Sequence, residues 1–134
     1  MSCPGARVSW RLQITDQRAE RRETDRVVAL IRDSLVRSFP GCRWEGEDAS
    51  APLILIELHR FSSELQGNVW DAAAEWSVSV QGPNGQSLTE FRAEAEVSRP
   101  NYRGSNNELE AMRQAFDQVI RRTIAGLVNV SVPG

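Results

Sequence analysis

The chain has 134 residues, of which 40% are hydrophobic and 25% charged, and its formal net charge is −2 at pH 7. This length suits one domain over residues 1–134, and we predict an ordered core at about 8–127 with flexible N-terminal and C-terminal tails. The small net charge gives no general attraction to nucleic acid or to an anionic membrane. No apolar run approaches the roughly 20 residues that a membrane span needs.

The first predicted element is a strand near the N-terminus. Apolar residues alternate there with polar ones, at Val8, Trp10, Leu12 and Ile14. This period of two is typical of a strand with one buried face. A polar connection follows at 16–23, and then a helix whose apolar stripe ends before Pro40.

Four arginines lie near the start of this helix: Arg18, Arg21, Arg22 and Arg26. They allow an interpretation as a phosphate-binding group. Carboxylates are interleaved with them and nearly cancel their charge, so a solvated helix start is the favoured interpretation.

Three successive strands are predicted between residues 53 and 97, and the rest of the chain is organised around them. The first begins with four apolar residues at 53–56, which indicates burial on both faces at its start. The other two alternate, and Pro83, Asn84 and Gly85 form the turn between them. The side chains predicted to point inward are aromatic or small. They include Trp10, Trp70, Trp76, Phe91, Ala72, Ala74, Ala93 and Ala95.

An amphipathic helix is predicted after the last of these strands. Its apolar face has helical spacing and consists of Leu109, Met112, Phe116, Val119, Ile120, Thr123 and Leu127. The element order is therefore β-α-β-β-β-α. It predicts an α+β fold, a two-layer sandwich with a four-stranded mixed sheet and two helices on one face. The other sheet face should be polar and solvated.

The polar sheet face is the candidate interaction face. Its predicted residues are Arg11, Gln13, Glu75, Arg92, Glu94 and Glu96. Because the aromatic residues are predicted to point inward and this face is acid-rich, it offers no platform for stacking bases, and we expect no nucleic-acid partner. Glu94 and Glu96 form a carboxylate pair, the type that serves in acid–base catalysis, but on a solvated face we interpret them as surface charges.

The sequence predicts no catalytic residues, no metal site and no cofactor. His59 is the only histidine, and it has neither a nucleophile nor a second ligand near it in sequence, so we interpret it as structural. The two cysteines, Cys3 and Cys42, lack metal-ligand spacing. If the first two strands are parallel, the residues before each strand lie at one end of the sheet, and the two cysteines are candidates for a disulfide.

Several short motifs resemble a group of small bacterial envelope lipoproteins, most closely the YajG family. They lie at 12–18 in the first strand, at 55–61, at Ala74-Glu75-Trp76, and at Tyr102-Arg103-Gly104-Ser105 before the last helix. The element order is also similar to the LptE-like and PqiC-like lipoproteins. The likeness covers roughly residues 8–127.

The resemblance implies a non-enzymatic domain in the periplasm that binds a partner protein in envelope assembly or transport. In such families a lipidated cysteine at the mature N-terminus tethers the protein to the outer membrane, and Cys3 is the candidate position here. The chain departs from the pattern because it shows no leader. Lipidation of Cys3, a disulfide between Cys3 and Cys42, and two free thiols are open alternatives, since one sulfur cannot carry both a lipid and a disulfide.

A carrier of a small ligand or lipid is the alternative function. The inward alanines leave space between sheet and helices, and this space either admits a ligand or lets the helices approach closely. Close packing is favoured, because small residues permit it without a void.

Overall fold

The computed structural model describes residues 3–44, 50–102 and 106–132. Its elements are a short 3-10 helix (Pro4–Ala6), β1 (Arg11–Asp16), α1 (Thr24–Ser38), β2 (Leu53–Gln66), β3 (Val69–Gln81), β4 (Ser87–Pro100) and α2 (Asn107–Val128). One sheet has the order β1-β2-β3-β4, in which β1 is parallel to β2 and the remaining pairs are antiparallel. Both helices pack on one face of it. The predicted α+β class and element order are confirmed.

Alternation along the strands decides which sheet face the helices cover. Trp10 and Trp76, at inward positions of the sheet layer, are fully buried. The indole N–H of Trp76 donates to Thr123 Oγ1 on α2 at 2.8 Å, and that of Trp10 donates to the Pro4 carbonyl oxygen at 3.2 Å. Trp76 therefore joins the sheet to α2, and Trp10 joins the sheet to the N-terminal residues, with the polar end of each indole satisfied.

The helices present matching apolar faces. The buried residues of α1 repeat every four positions and are Val27, Ile31 and Leu35. Those of α2 are Ala111, Ala115, Phe116, Val119, Ile120, Thr123 and Leu127. These spacings place each set on one side of its helix, so burial of that side against the sheet stabilises both layers at once.

The apolar start of β2 is covered on one face only. Ile54 and Ile56 are buried beneath the helices, whereas Leu53 and Leu55 are half-buried on the opposite face. The expectation of burial on both faces is wrong, because none of the elements in the described part of the chain forms a second layer over that side. Neighbouring residues of β1 and β3 shield part of the two leucines instead.

Burial at the ends of the sheet also differs from what the sequence pattern predicts. Trp70 is half-buried, and its indole N–H donates to Asn101 Oδ1 at 3.1 Å, because it lies at the outer end of β3 beside the residue that follows β4. Pro4 and Val130 are buried although they lie outside residues 8–127. The packed region thus includes residues on both sides of the predicted core.

Gly126 permits the close approach of α2 to β4. A Cβ atom at this position would overlap the ring of Phe91 on β4. The last turns of the helix can therefore lie against the strand only because residue 126 has no side chain.

We expect the substitution Gly126→Ala to lower the free energy of unfolding by about 1 kcal/mol, because overpacking against Phe91 outweighs the gain in helix propensity. Urea unfolding followed by tryptophan fluorescence measures the change. In a Phe91→Leu background the same substitution should be neutral or stabilising. An equal loss in both backgrounds would contradict the proposed contact.

Candidate functional site

The sheet face turned away from the helices carries polar side chains from all four strands. The strand register places every predicted interaction residue on this open face: Arg11, Gln13, Glu75, Arg92, Glu94 and Glu96. They form two groups. The first two lie on β1, and the other four lie on β3 and β4, where Glu75 is directly opposite Glu94.

Carboxylates outnumber guanidinium groups on the open face. Its arginines are Arg11, Arg60 and Arg92, and its carboxylates are Glu57, Glu64, Asp71, Glu75, Glu90, Glu94 and Glu96. Arg92 lies 3.6 Å from Glu75, and Arg60 lies 4.0 Å from Glu96. Such exposed pairs contribute little to stability. The face therefore presents a net negative surface.

His59 lies at a bulge in β2. The register between β2 and β3 shifts between Leu58 and Arg60, so His59 is the extra residue. Its Nε2 lies 2.7 Å from Ser77 Oγ, a hydrogen bond that gives the ring a partner within the sheet. Among the described residues, no group of three or more histidine, cysteine, aspartate or glutamate side chains is arranged to hold a metal ion.

A buried ion pair ends β1. The guanidinium of Arg18 donates to both oxygens of Asp16, with a shortest distance of 2.7 Å, and the two side chains are only 9% and 3% exposed. The Thr24 hydroxyl, at the first residue of α1, donates to the same carboxylate at 2.8 Å. Arg18 also donates to the carbonyl oxygen of Arg22 at 2.7 Å. We call Asp16, Arg18 and Thr24 the clasp, because together they fix the path from β1 to α1.

The clasp has a marked electrostatic effect. Hydrogen bonds from the Arg18 guanidinium hold the pKa of the Asp16 carboxyl far below its ordinary value, and they outweigh the opposite effect of burial. The same hydrogen bonds raise the pKa of Arg18. The sequence predicts only a polar connection here. The available signal was an aspartate at the end of a strand with an arginine two residues later and a threonine at the helix start.

A groove of about 540 Å³ lies beside the clasp, where β1 stops. β1 pairs with β2 only as far as Leu58, and β2 continues to Gln66. The groove is lined by parts of the connection at 18–23, by β2 residues 59–63, and by Val27, Glu108 and Met112. Ser63 Oγ donates to Glu108 Oε2 at 2.7 Å, which connects β2 to α2 at this groove.

A disulfide joins Cys3 to Cys42, and their Cα atoms lie 5.4 Å apart. Close by, Ser9 and Arg43 form a parallel bridge, and the backbone N–H of Trp10 donates to the Arg43 carbonyl oxygen at 2.9 Å. The parallel pairing of β1 and β2 thus brings the segments before both strands to one end of the sheet. This bond and a lipid on Cys3 exclude each other, because both use the same sulfur; lipidation of Cys3 stays a prediction.

The fold occurs in solved structures of bacterial lipoproteins. Lipoprotein GNA1162 from Neisseria meningitidis matches with a TM-score of 0.54 and 10% identity, over 90% of this chain and 99% of that one. Rare lipoprotein B from Shewanella oneidensis matches with a TM-score of 0.50 and 18% identity, over 89% and 97% of the two chains. Protein XCC0632 from Xanthomonas campestris, of family DUF330, matches with a TM-score of 0.61 and 17% identity, over 96% and 91%.

At these identities the matches show a shared fold. No model of a known protein family matches the chain, and no curated protein matches it in sequence. The finer assignments to the YajG, LptE-like or PqiC-like lipoproteins therefore stay predictions. Within the described residues, neither α1 nor α2 combines the length and apolarity needed to cross a membrane.

We expect Asp16→Asn to lower the free energy of unfolding by about 3 kcal/mol near neutral pH, because it leaves Arg18 buried without its counter-charge. The folded carboxyl has a pKa below its unfolded value of about 4, so the contribution of the ion pair is complete above that value and is lost on acidification. The difference in the free energy of unfolding between the wild type and the variant should be constant from about pH 8 to about pH 5 and shrink below about pH 4.

Urea unfolding at a series of pH values measures this difference. Asp33→Asn on the exposed side of α1 is the matched control, and its effect should stay within about 0.5 kcal/mol at every pH. A destabilisation by Asp16→Asn that increases on acidification would contradict the ionised clasp.

Proposed function

We propose that the chain forms a non-enzymatic, lipoprotein-like domain of the bacterial envelope, which acts in the periplasm and binds a partner protein in envelope assembly or transport. The observation that carries this proposal is the net negative open face of a sheet whose other face is covered by helices. Side chains held on paired strands form a rigid surface, so little conformational entropy is lost when a partner docks on it.

The charge of the open face defines the partner's chemistry. Glu90, Glu94 and Glu96 are exposed and lie on one strand, β4. A basic protein surface complements them, and the attraction accelerates association in a salt-dependent manner. The same charges repel an anionic lipid surface, which favours a protein over a membrane as the partner of this face.

Two observations support a location in the envelope. The fold is shared with two structures whose names identify them as lipoproteins. A disulfide between Cys3 and Cys42 fits the oxidising periplasm better than the reducing cytosol. A lipid on Cys3 is the alternative link to the envelope, and it requires Cys42 to be free.

The carrier alternative has less support from the packing. The inward alanines of β3 and β4 belong to the same buried cluster as Ala111 and Ala115 of α2. Small residues of the sheet and of α2 thus share one buried core, which favours close packing of the helix on the sheet.

Photo-crosslinking in a producing bacterium tests the partner proposal. A photoreactive amino acid at Arg92 should give one discrete product with an envelope protein, whereas the same group at Arg121, exposed on α2, should give none. Reversing two charges of the face, with Glu94→Lys and Glu96→Lys, should reduce the product at least about tenfold. Equal products at both positions, or products with cytosolic proteins only, would contradict the proposal.

Thiol analysis tests the location proposal. Protein purified without reductant should contain no free thiol after unfolding, and peptide mapping should find Cys3 linked to Cys42. Cys42→Ser should lower the free energy of unfolding by about 2–4 kcal/mol. A free Cys42 together with a lipid-modified Cys3 would contradict the disulfide and favour the membrane anchor.

A further inference from the structure

In the part of the chain that the structure describes, the edge of β2 that faces β1 lacks a strand partner over more than half of its length. Pairing with β1 ends at Asp16 and Leu58, and the last backbone contact there is the Gln17 N–H donating to the Leu58 carbonyl oxygen at 2.8 Å. The clasp then directs the chain toward α1. Within the described residues, positions 59–66 of β2 therefore pair with β3 on one side and with no strand on the other.

The groove makes this edge different from an ordinary sheet edge. Three large apolar side chains contribute to its lining, beside polar and charged ones: Val27 from α1, Phe61 from β2 and Met112 from α2. Phe61 is half-buried, and its ring lies 5.8 Å from that of Phe116. A strand placed beside β2 would direct alternate side chains into this groove and the others toward the open face.

We propose that residues 59–66 of β2 bind an extended segment of the partner protein as an added strand, on the same side of β2 as β1 and beyond the end of β1. The inference rests on the proposed function, because it takes the partner to be a protein. A repeating row of backbone donors and acceptors is complemented by another extended backbone. The added strand would enlarge the sheet and its open face together.

The charges along the free edge define the segment's sequence. Arg60 and Glu64 lie four residues apart on the open face, with Ser62 between them. The side chain of Arg60 is 54% exposed; it donates to Ser62 Oγ at 3.3 Å and lies 4.0 Å from Glu96. The complementary segment has an acidic residue beside Arg60 and a basic residue beside Glu64, because opposite charges on neighbouring strands attract. The two residues of the segment that lie beside Phe61 and Ser63 of β2 are apolar.

The order of the side chains along the segment determines whether it lies parallel or antiparallel to β2. A segment parallel to β2, as β1 is, reads acidic, apolar, polar, apolar, basic from its N-terminus. An antiparallel segment reads in reverse. The probe is therefore a capped peptide with the central sequence Asp-Val-Thr-Val-Lys, together with the peptide of reversed sequence.

NMR spectra of the isotopically labelled full chain test the proposal. One of the two peptides should shift the amide signals of residues 59–66 and slow their hydrogen exchange. The same peptide with N-methylated alternate amides should bind at least tenfold more weakly, because it cannot form the strand hydrogen bonds. The double variant Arg60→Glu with Glu64→Lys should prefer the other of the two peptides, because reversing this sequence also exchanges its Asp and Lys. Arg121→Glu on α2 should bind like the wild type.

Three results would overturn the proposal: no shift at residues 59–66 with either peptide at about 1 mM, equal binding of the N-methylated peptide, or shifts confined to the open face. Binding of acyl chains from neutral lipid micelles to the groove, with no peptide binding, would also reject it in favour of a lipid site. If the peptide fails while the cross-link at Arg92 forms, this edge is rejected and the proposed function stands.

Discussion

The indole of Trp76 connects the sheet to α2. It is fully buried, it packs against the Phe116 ring at 5.7 Å, and it donates to Thr123, whose hydroxyl in turn donates to the Val119 carbonyl oxygen. A shift of one residue in β3 would expose this indole and bury the charge of Glu75. The burial of Trp76 thus fixes the strand register and the position of the helix together, and it leaves the acidic side chains on the open face.

The length of β1 determines what the free edge offers. β1 is six residues long and is held at both ends, by the Cys3–Cys42 disulfide before it and by the clasp after it. β2 has 14 residues and extends beyond it. The bulge at His59 lies where the pairing of β1 ends, so the two features together separate a fully paired part of β2 from its free part. The groove follows from this difference in length.

Much of the architecture could be predicted from the sequence, because side-chain periodicity reports which face of an element is buried. The strands, both helices and the shared open face of Glu75 and Glu94 follow from it. Periodicity does not report how far a covering layer extends, so Leu53 and Trp70 are more exposed than expected. It also does not show that Gly126 lies against the Phe91 ring, which depends on the distance between layers.

The clasp could not be predicted for a different reason. Asp16 and Arg18 belong to a segment of many charges, and local sequence does not distinguish a buried pair from solvated ones. Their burial depends on where β1 ends relative to α1, and strand ends are the least certain feature of a sequence pattern. The groove depends on the same boundary, which is why it too was absent from the sequence-based expectations.

Hydroxyl-radical footprinting read by mass spectrometry tests the central claim, that the sheet buries one face beneath the helices. Trp10 and Trp76 are fully buried, whereas Tyr102 is 65% exposed and serves as the internal reference. Native protein should show oxidation of Tyr102 with both tryptophans protected, and unfolding in urea should remove that protection. Oxidation of Trp76 in the native protein at the rate of Tyr102 would contradict the account.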